Sequence, residues 1–348
     1  MRNAIFLSVD RAGFPPAVFA AHTAKINAPA DAFDTVIAVP ENVVEPLWIH
    51  WAEANVGAVV REVSLVEHIG FQKTANRYIP PSTAYRYLFD LFLPSHYDKL
   101  IYLDADVRVL GDLSRLFELD LGGHVFAACP DAVVTAYEDG SDPWTANYIA
   151  KLGWDLAVTM VNPGLLVIDP RRWLEKDLGR RVMADLREHI DVYLSVDQDA
   201  LNLLVRGAFQ PISPVWNMLT MLWLAADFSD VISPSVLHYA GPQKPWKVKS
   251  WGYDQKEILP YREFFRSSPW PDLALSLWRE SPTWKECRRY YRRLLKRTVM
   301  GRWPLYPASN VEKYKDHIRS FDFADKRQRL VACDATGVLR AAGAAAGP

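Results

Sequence analysis

Lys99-Leu100-Ile101-Tyr102-Leu103-Asp104-Ala105-Asp106 decides how this chain folds. A short apolar run without polar alternation reads as a strand buried on both faces. It ends in two carboxylates one residue apart. Working outward, the same rhythm fills the first hundred residues. Ala4–Val9 is an apolar run ending at Asp10, and Thr35–Val39 and Ala58–Val63 read as two more strands. Between them Phe14–Ile26, Val43–Asn55 and Thr83–Leu93 read as helices, with Pro40–Asn42 a turn and Pro94 closing the third helix. Strands alternating with helices of this length predict an α/β fold, a mostly parallel sheet with helices on both faces. In such sheets ligands bind where the carboxyl ends of the strands release their loops, which is where Asp10 and Asp104 stand.

Composition bounds the alternatives. The chain has 348 residues, half of them hydrophobic and 23% charged, so it has ample material for a core. Forty basic and 41 acidic side chains leave a net charge of −1, which argues against a surface built for nucleic acid. Cys129, Cys287 and Cys333 make neither a disulfide framework nor a zinc pattern, in keeping with a reducing compartment. The first strand follows Met-Arg-Asn directly, without the longer apolar region of a signal peptide, and no window reaches the roughly 18 apolar residues of a membrane span. The expectation is a cytoplasmic protein.

Farther along, Asp131–Trp154 is rich in polar, Gly and Pro residues and reads as a long functional loop or a small excursion. Leu165–Ile168 is another strand and Asp177–Glu188 another helix. Two units are expected: a catalytic domain over residues 1–267 and a basic helical extension over 268–348 with a disordered Ala/Gly tail. Within the extension, Lys285–Arg302 holds eight basic residues against the single Glu286, a local charge of +7. On a helix its Tyr290, Tyr291, Leu294 and Leu295 would line one surface. That surface either packs on the main domain or docks on an anionic membrane at the inner leaflet.

Asp104 and Asp106 suit a hard divalent cation that bridges phosphate oxygens. Phosphotransferases of the haloacid dehalogenase type share an Asp-x-Asp after a strand. They place Thr or Val two residues after the second Asp, where this chain has Arg108. A second signal is His238-x-x-Gly241-x-x-Lys244-Pro245-Trp246. The histidine nitrogen would favour Mn²⁺ over Mg²⁺, Gly241 would let backbone approach a phosphate, and Lys244 would add a point charge.

Asp104-Ala-Asp106, then Asn162-Pro163-Gly164 before a strand, then Asp197-Gln198-Asp199-Ala-Leu-Asn202, then the His238 motif form an ordered set over residues 3–265. The set resembles glycosyltransferase family 8, which includes bacterial lipopolysaccharide α-galactosyl- and α-glucosyltransferases and glycogenin. The resemblance implies a GT-A fold and retaining transfer of a hexose from UDP-Glc or UDP-Gal to a saccharide or glycolipid acceptor. It also implies Mn²⁺, with Mg²⁺ second, on Asp104, Asp106 and His238. By the same resemblance Ser8, Asp10, Tyr78 and Ile79 would meet the nucleoside. Arg86 would hold the donor and Ala105 would lie near the ribose. Asn162 and Gly164 would face the sugar, Asp197 would accept from its hydroxyls, and Gln198 would sit beneath the anomeric carbon.

Pro163 replaces the alanine usual in relatives, which stiffens the pocket and removes an N–H there. Arg11-Ala12 replaces a more polar loop beside the uridine. Gln198 is a poor nucleophile, so front-face attack is expected, and Asp199 is expected on a strand or turn that points it away. Trp216, Trp223 and Trp246 read first as core and second as sugar-stacking platforms. The rival functions are a non-catalytic nucleotide-sugar or glycan-binding module of this fold and an inverting or nucleotidyl transferase. Intact Asp104, Asp106, His238 and Lys244 argue against the first and the His238 motif against the second.

Overall fold

A computed structural model describes residues 2–64, 81–136, 143–220, 228, 231–241, 244–247, 255–274, 288 and 308–324. Ten strands lie among them: β1 (Asn3–Ser8), β2 (Asp34–Pro40), β3 (Val59–Val63), β4 (Lys99–Leu103), β5 (Val107–Val109), β6 (Phe126–Pro130), β7 (Val161–Ile168), β8 (Gln210–Pro211), β9 (Met218–Leu219) and β10 (Val236–His238). The main sheet has the order β3-β2-β1-β4-β7-β6-β8. Its first four strands run parallel, β7 runs antiparallel to both β4 and β6, and β8 is parallel to β6. The mostly parallel α/β reading therefore holds, with one reversed strand in the middle.

Strand alternation divides the core in two. Ile5, Leu7, Ile37, Ile101, Leu103 and Leu165 face one layer, while Ala4, Phe6, Val36, Leu100, Tyr102 and Leu166 face the other. The first layer receives helix Phe14–Ile26, which starts with Pro15 and Pro16 in its first turn and is buried almost throughout. The second receives a 3-10 segment, Pro81–Leu91, and helix Leu178–His189. These two elements touch at Gly179, where an added Cβ would lie 1.9 Å from the Tyr87 carbonyl oxygen.

Four local readings change. Helix Pro46–Val56 starts three residues later than expected, because Pro46 holds Glu45 extended and itself suits a first turn. The segment after residue 81 is 3-10, with Leu88 breaking its regularity. For Asp131–Trp154 the alternatives narrow to the small excursion: it contains helices Ala132–Ala136 and Pro143–Leu152, and Tyr148, Ile149 and Trp154 build a small core of their own. Asn162-Pro163-Gly164 lies inside β7 rather than before it. There the register against β6 jumps between Ala128 and Cys129, which relieves the proline of a regular ladder position.

The small sheet β5-β10-β9 closes over the carboxyl end of β4. Helix Ala308–Ala324 buries Val311, Tyr314 and Ile318 in the first core layer. Of the basic run Lys285–Arg302, all but Arg288 lies outside the described residues, as do Trp223 and the Ala/Gly tail. No helix among the described residues is long and apolar enough to cross a membrane.

Candidate active site

Pairing of β5 with β10 brings together what the sequence separates. His238 pairs with Val107, and the Tyr239 N–H donates to the Asp106 carbonyl at 2.8 Å, so the His238 ring stands over the turn between β4 and β5. Its Nε2 lies 3.3 Å from Asp106 Oδ1 and 3.6 Å from Asp104 Oδ2. Ligand atoms of Asp104, Asp106 and His238 all fall within 4.8 Å of one another. Two carboxylate oxygens and one imidazole nitrogen are a donor set that fits Mn²⁺ or Mg²⁺. His238 Nδ1 is 2.8 Å from Asn217 Oδ1, which leaves Nε2 for a cation.

Lys244 completes this side. Its ammonium donates to Asp106 Oδ2 and, at 2.6 Å, to the Tyr239 carbonyl. Burial works against a charged Asp106, but the Lys244 ammonium beside it outweighs that and holds the carboxyl well below the usual range. Gly241, at φ 87°, turns the chain between His238 and Lys244 in a conformation that glycine adopts freely.

The opposite wall is a buried arginine. Arg86 is 3% exposed and reaches Asp104 Oδ1 at 2.9 Å, Asp197 Oδ2 at 3.3 Å, the Pro163 carbonyl at 3.0 Å and the Thr83 carbonyl at 2.8 Å. Its guanidinium lies 4.4 Å from the centre of the Tyr102 ring. The Tyr102 hydroxyl donates to Asp104 at 2.7 Å and the Tyr87 hydroxyl to Asp197 at 3.0 Å. Burial raises the Asp197 carboxyl, with Arg86 pulling against it. One oxygen of Asp197 is thus committed to Arg86 and Tyr87.

Beyond Arg86 lies a floor of amides. Gln198, in the first turn of helix Asp197–Val205, donates through Nε2 to Asp131 Oδ2 at 3.0 Å. Asn162 donates to the same oxygen at 3.3 Å, and its Oδ1 accepts from the Gly164 N–H at 3.1 Å. A Cβ on Gly164 would meet the His238 ring at 2.5 Å, so glycine is what lets the histidine lie there. Val196 precedes this helix at φ 49°, costly for a β-branched residue and located beside Asp197 and Gln198. Asp199 is not on a strand or turn. It lies in the helix, fully buried, accepting from the Tyr148 hydroxyl and from the Ser195 N–H at 2.9 Å, and burial pushes its carboxyl up to about 6.

Asp104, Asp106, His238, Lys244, Arg86, Asp197, Asn162, Gly164 and Gln198 therefore form one contiguous constellation. Ala105 lies within it by position. Asp10 lies two residues past the neighbouring strand β1 and spends Oδ1 on the Gly13 N–H at 2.8 Å. Ser8 is buried, and its hydroxyl has no hydrogen-bond partner among the described residues. Tyr78 and Ile79 lie outside the described residues. Trp216 and Trp246 are 0% and 8% exposed, so both are core rather than stacking platforms. Two residues of the constellation escape a reading of the sequence. Asp131 carried a signal, since it follows the apolar strand β6 as Asp10 and Asp104 follow theirs. Asn217, a lone amide after Pro214-Val215-Trp216, carried none.

A family model, Glycosyl transferase family 8, matches residues 49–250. The chain belongs to this family. Among similar proteins, a lipopolysaccharide 1,2-glucosyltransferase of Escherichia coli (strain K12) is 28% identical over 209 residues, covering 57% of this chain and 57% of that protein. A lipopolysaccharide 1,3-galactosyltransferase of Salmonella typhimurium (strain LT2) is 27% identical over 206 residues, 56% of this chain and 57% of that protein. General stress protein A of Bacillus subtilis (strain 168) is 27% identical over 189 residues, 50% and 62%. The chain thus spans somewhat more than half the length of these relatives. A crystal structure of the galactosyltransferase LgtC with donor and acceptor sugar analogues superposes with a TM-score of 0.60 at 22% identity, over 81% of this chain and 99% of that one. The fold is GT-A.

Proposed function

We propose that this family 8 chain is a metal-dependent retaining glycosyltransferase that moves glucose or galactose from a UDP-sugar to a saccharide or glycolipid acceptor. The observation that carries this reading is the convergence of Asp104, Asp106 and His238 at the carboxyl end of β4, with Lys244 on one side and the Asn162–Gln198 floor on the other. Asp104, Asp106 and His238 would hold Mn²⁺, which when bound supplies electrophilic neutralisation of diphosphate charge. Lys244 adds a second positive charge where the leaving phosphate develops negative charge. Arg86 cannot swing, being fixed by four oxygens, and serves as a rigid wall that keeps Asp104 and Asp197 in place.

Gln198 is held from behind by Asp131, so its carbonyl oxygen is the polar atom left to face a sugar. An amide in that position stabilises positive charge without bonding to carbon, which favours front-face displacement, with the leaving phosphate accepting the acceptor's proton. The nucleoside is assigned to the Ser8–Asp10 end of β1 and to Tyr78 and Ile79. A lipid-borne acceptor fits a chain whose Lys285–Arg302 run would hold it reversibly at the inner face of a membrane.

The test is incubation with UDP-Glc and UDP-Gal, with and without Mn²⁺, following UDP release by mass spectrometry and the product anomer by NMR. One donor should be consumed only with metal, and Asp104→Asn or Asp106→Asn should lower turnover at least about a hundredfold. Full activity in excess chelator refutes the reading.

A further inference from the structure

The hydrogen bonds behind the candidate metal centre form a chain whose direction is fixed at one end, and that direction reaches His238. Asp131 Oδ2 accepts from both Gln198 Nε2 and Asn162 Nδ2, at 3.0 and 3.3 Å. A carboxylate has no proton to give, so Asn162 must turn its NH₂ toward Asp131. The Gly164 N–H can only donate, and it donates to Asn162 Oδ1 at 3.1 Å. Asn162 is thus oriented from two sides without any assumption about its amide. Asn162 Oδ1 lies 2.9 Å from Asn217, so Asn217 must present Nδ2 there and its own oxygen to His238 Nδ1, 2.8 Å away. An oxygen facing Nδ1 requires a proton on Nδ1. In the neutral ring the lone pair then lies on Nε2, the nitrogen aimed at Asp104 and Asp106.

All four members are buried: Asp131 5%, Asn162 8%, Asn217 3% and His238 4% exposed. Water cannot readily replace any link, so breaking one leaves a buried polar group without a partner. We propose that Asn217 is the positioning residue of this site. It locks the His238 tautomer that a metal requires and, with its other end, fixes Asn162 in the floor assigned to the donor sugar. The proposal rests on reading Asp104, Asp106 and His238 as a metal centre. Asn217 touches neither metal nor donor; it acts through the two residues it joins.

Two variants separate its two ends. Asn217→Leu removes both hydrogen bonds at similar volume. Asn217→Asp keeps an acceptor for His238 Nδ1 but sets an oxygen against Asn162 Oδ1, which then keeps only the Gly164 N–H as a donor. The first measurement is long-range ¹H–¹⁵N NMR of the His238 ring, read for which ring nitrogen carries the proton. The wild type and Asn217→Asp should show the proton on Nδ1, and Asn217→Leu a mixture or the opposite tautomer.

The second measurement is Mn²⁺ affinity by electron paramagnetic resonance at saturating UDP. It should fall about 10- to 100-fold in Asn217→Leu, the range for loss of a partner behind a metal ligand, and stay close to wild type in Asn217→Asp. The third is calorimetry of UDP-sugar against UDP, where Asn217→Asp should lose the extra affinity that the sugar confers. If wild type binds no Mn²⁺, the metal reading fails, and the tautomer still decides what Asn217 does to His238. Wild-type tautomer and Mn²⁺ affinity in a folded Asn217→Leu would overturn the proposal. Should Asn217→Leu fail to fold, Asn217→Asp decides: loss of Mn²⁺ affinity, or UDP-sugar binding unchanged from wild type, overturns it.

Discussion

Replacing Arg86 with methionine removes the guanidinium that joins the two carboxylates of the inner wall, and its cost can be worked from the geometry. The guanidinium satisfies Asp104, Asp197 and two carbonyl oxygens, with its side chain 4% exposed. Removing one partner of a buried ion pair costs about 3–5 kcal/mol, because the other charge remains without compensation. The Tyr87 hydroxyl still serves Asp197, the Tyr102 hydroxyl still serves Asp104, and Asp104 is 21% exposed, so the lower end of about 3 kcal/mol applies. The cost should also depend on pH. Asp197 is already raised by burial, and without Arg86 it rises further. An acid whose folded pKa exceeds its unfolded value lowers stability above the folded pKa, and the penalty vanishes as pH falls below the unfolded one. Urea denaturation near pH 8 and near pH 5 should therefore give a larger deficit at the higher pH, with Arg86→Lys between methionine and wild type. A deficit below about 1 kcal/mol near pH 8, or one that does not change with pH, would refute the ion-pair argument.

Three further outcomes are expected. Gly164→Ala places a methyl 2.5 Å from a His238 ring that has nowhere to go; Mn²⁺ binding measured with UDP should weaken at least tenfold, and overpacking should cost about 1–3 kcal/mol in a urea titration. Asp199 contributes a pH slope: with its carboxyl at about 6 in the fold, stability should drop by up to about 3 kcal/mol as pH rises from the usual carboxylate value through that point. Urea midpoints of Asp199→Asn should show that slope flattened. Finally, full-length protein should sediment with anionic vesicles at low salt and not with neutral ones, and Arg288→Gln/Arg289→Gln/Arg292→Gln/Arg293→Gln should abolish this; equal sedimentation of the two proteins would remove Lys285–Arg302 as a membrane anchor.

Most of the parallel half of the sheet was legible because β1, β2 and β4 are short apolar runs stopped by a charge, a turn or a proline, and helix Phe14–Ile26 was read residue for residue. The reversal of β7 was not, since composition does not carry strand direction. Its Asn162-Pro163-Gly164 read as punctuation because proline and glycine usually sit outside central strands, and a register jump is what admits them. Asp104, Asp106 and His238 could be named because their residue types suit a divalent cation and the family resemblance puts them in one set. The sharing of Arg86 between Asp104 and Asp197 could not, since those partners meet only through folding across about a hundred residues. Asp131 was passed over inside a stretch that polar composition made look irregular. Asn217 would have needed the position of β9 beside β10.

The site draws one wall from each core layer: Arg86 and Tyr87 stand on elements packed against one face of the sheet, and His238 and Lys244 on elements packed against the other. β4 is the seam between them. Neither layer can melt by itself and leave the constellation assembled. Loss of Mn²⁺ binding on heating would then read the more fragile of the two layers, whichever it is.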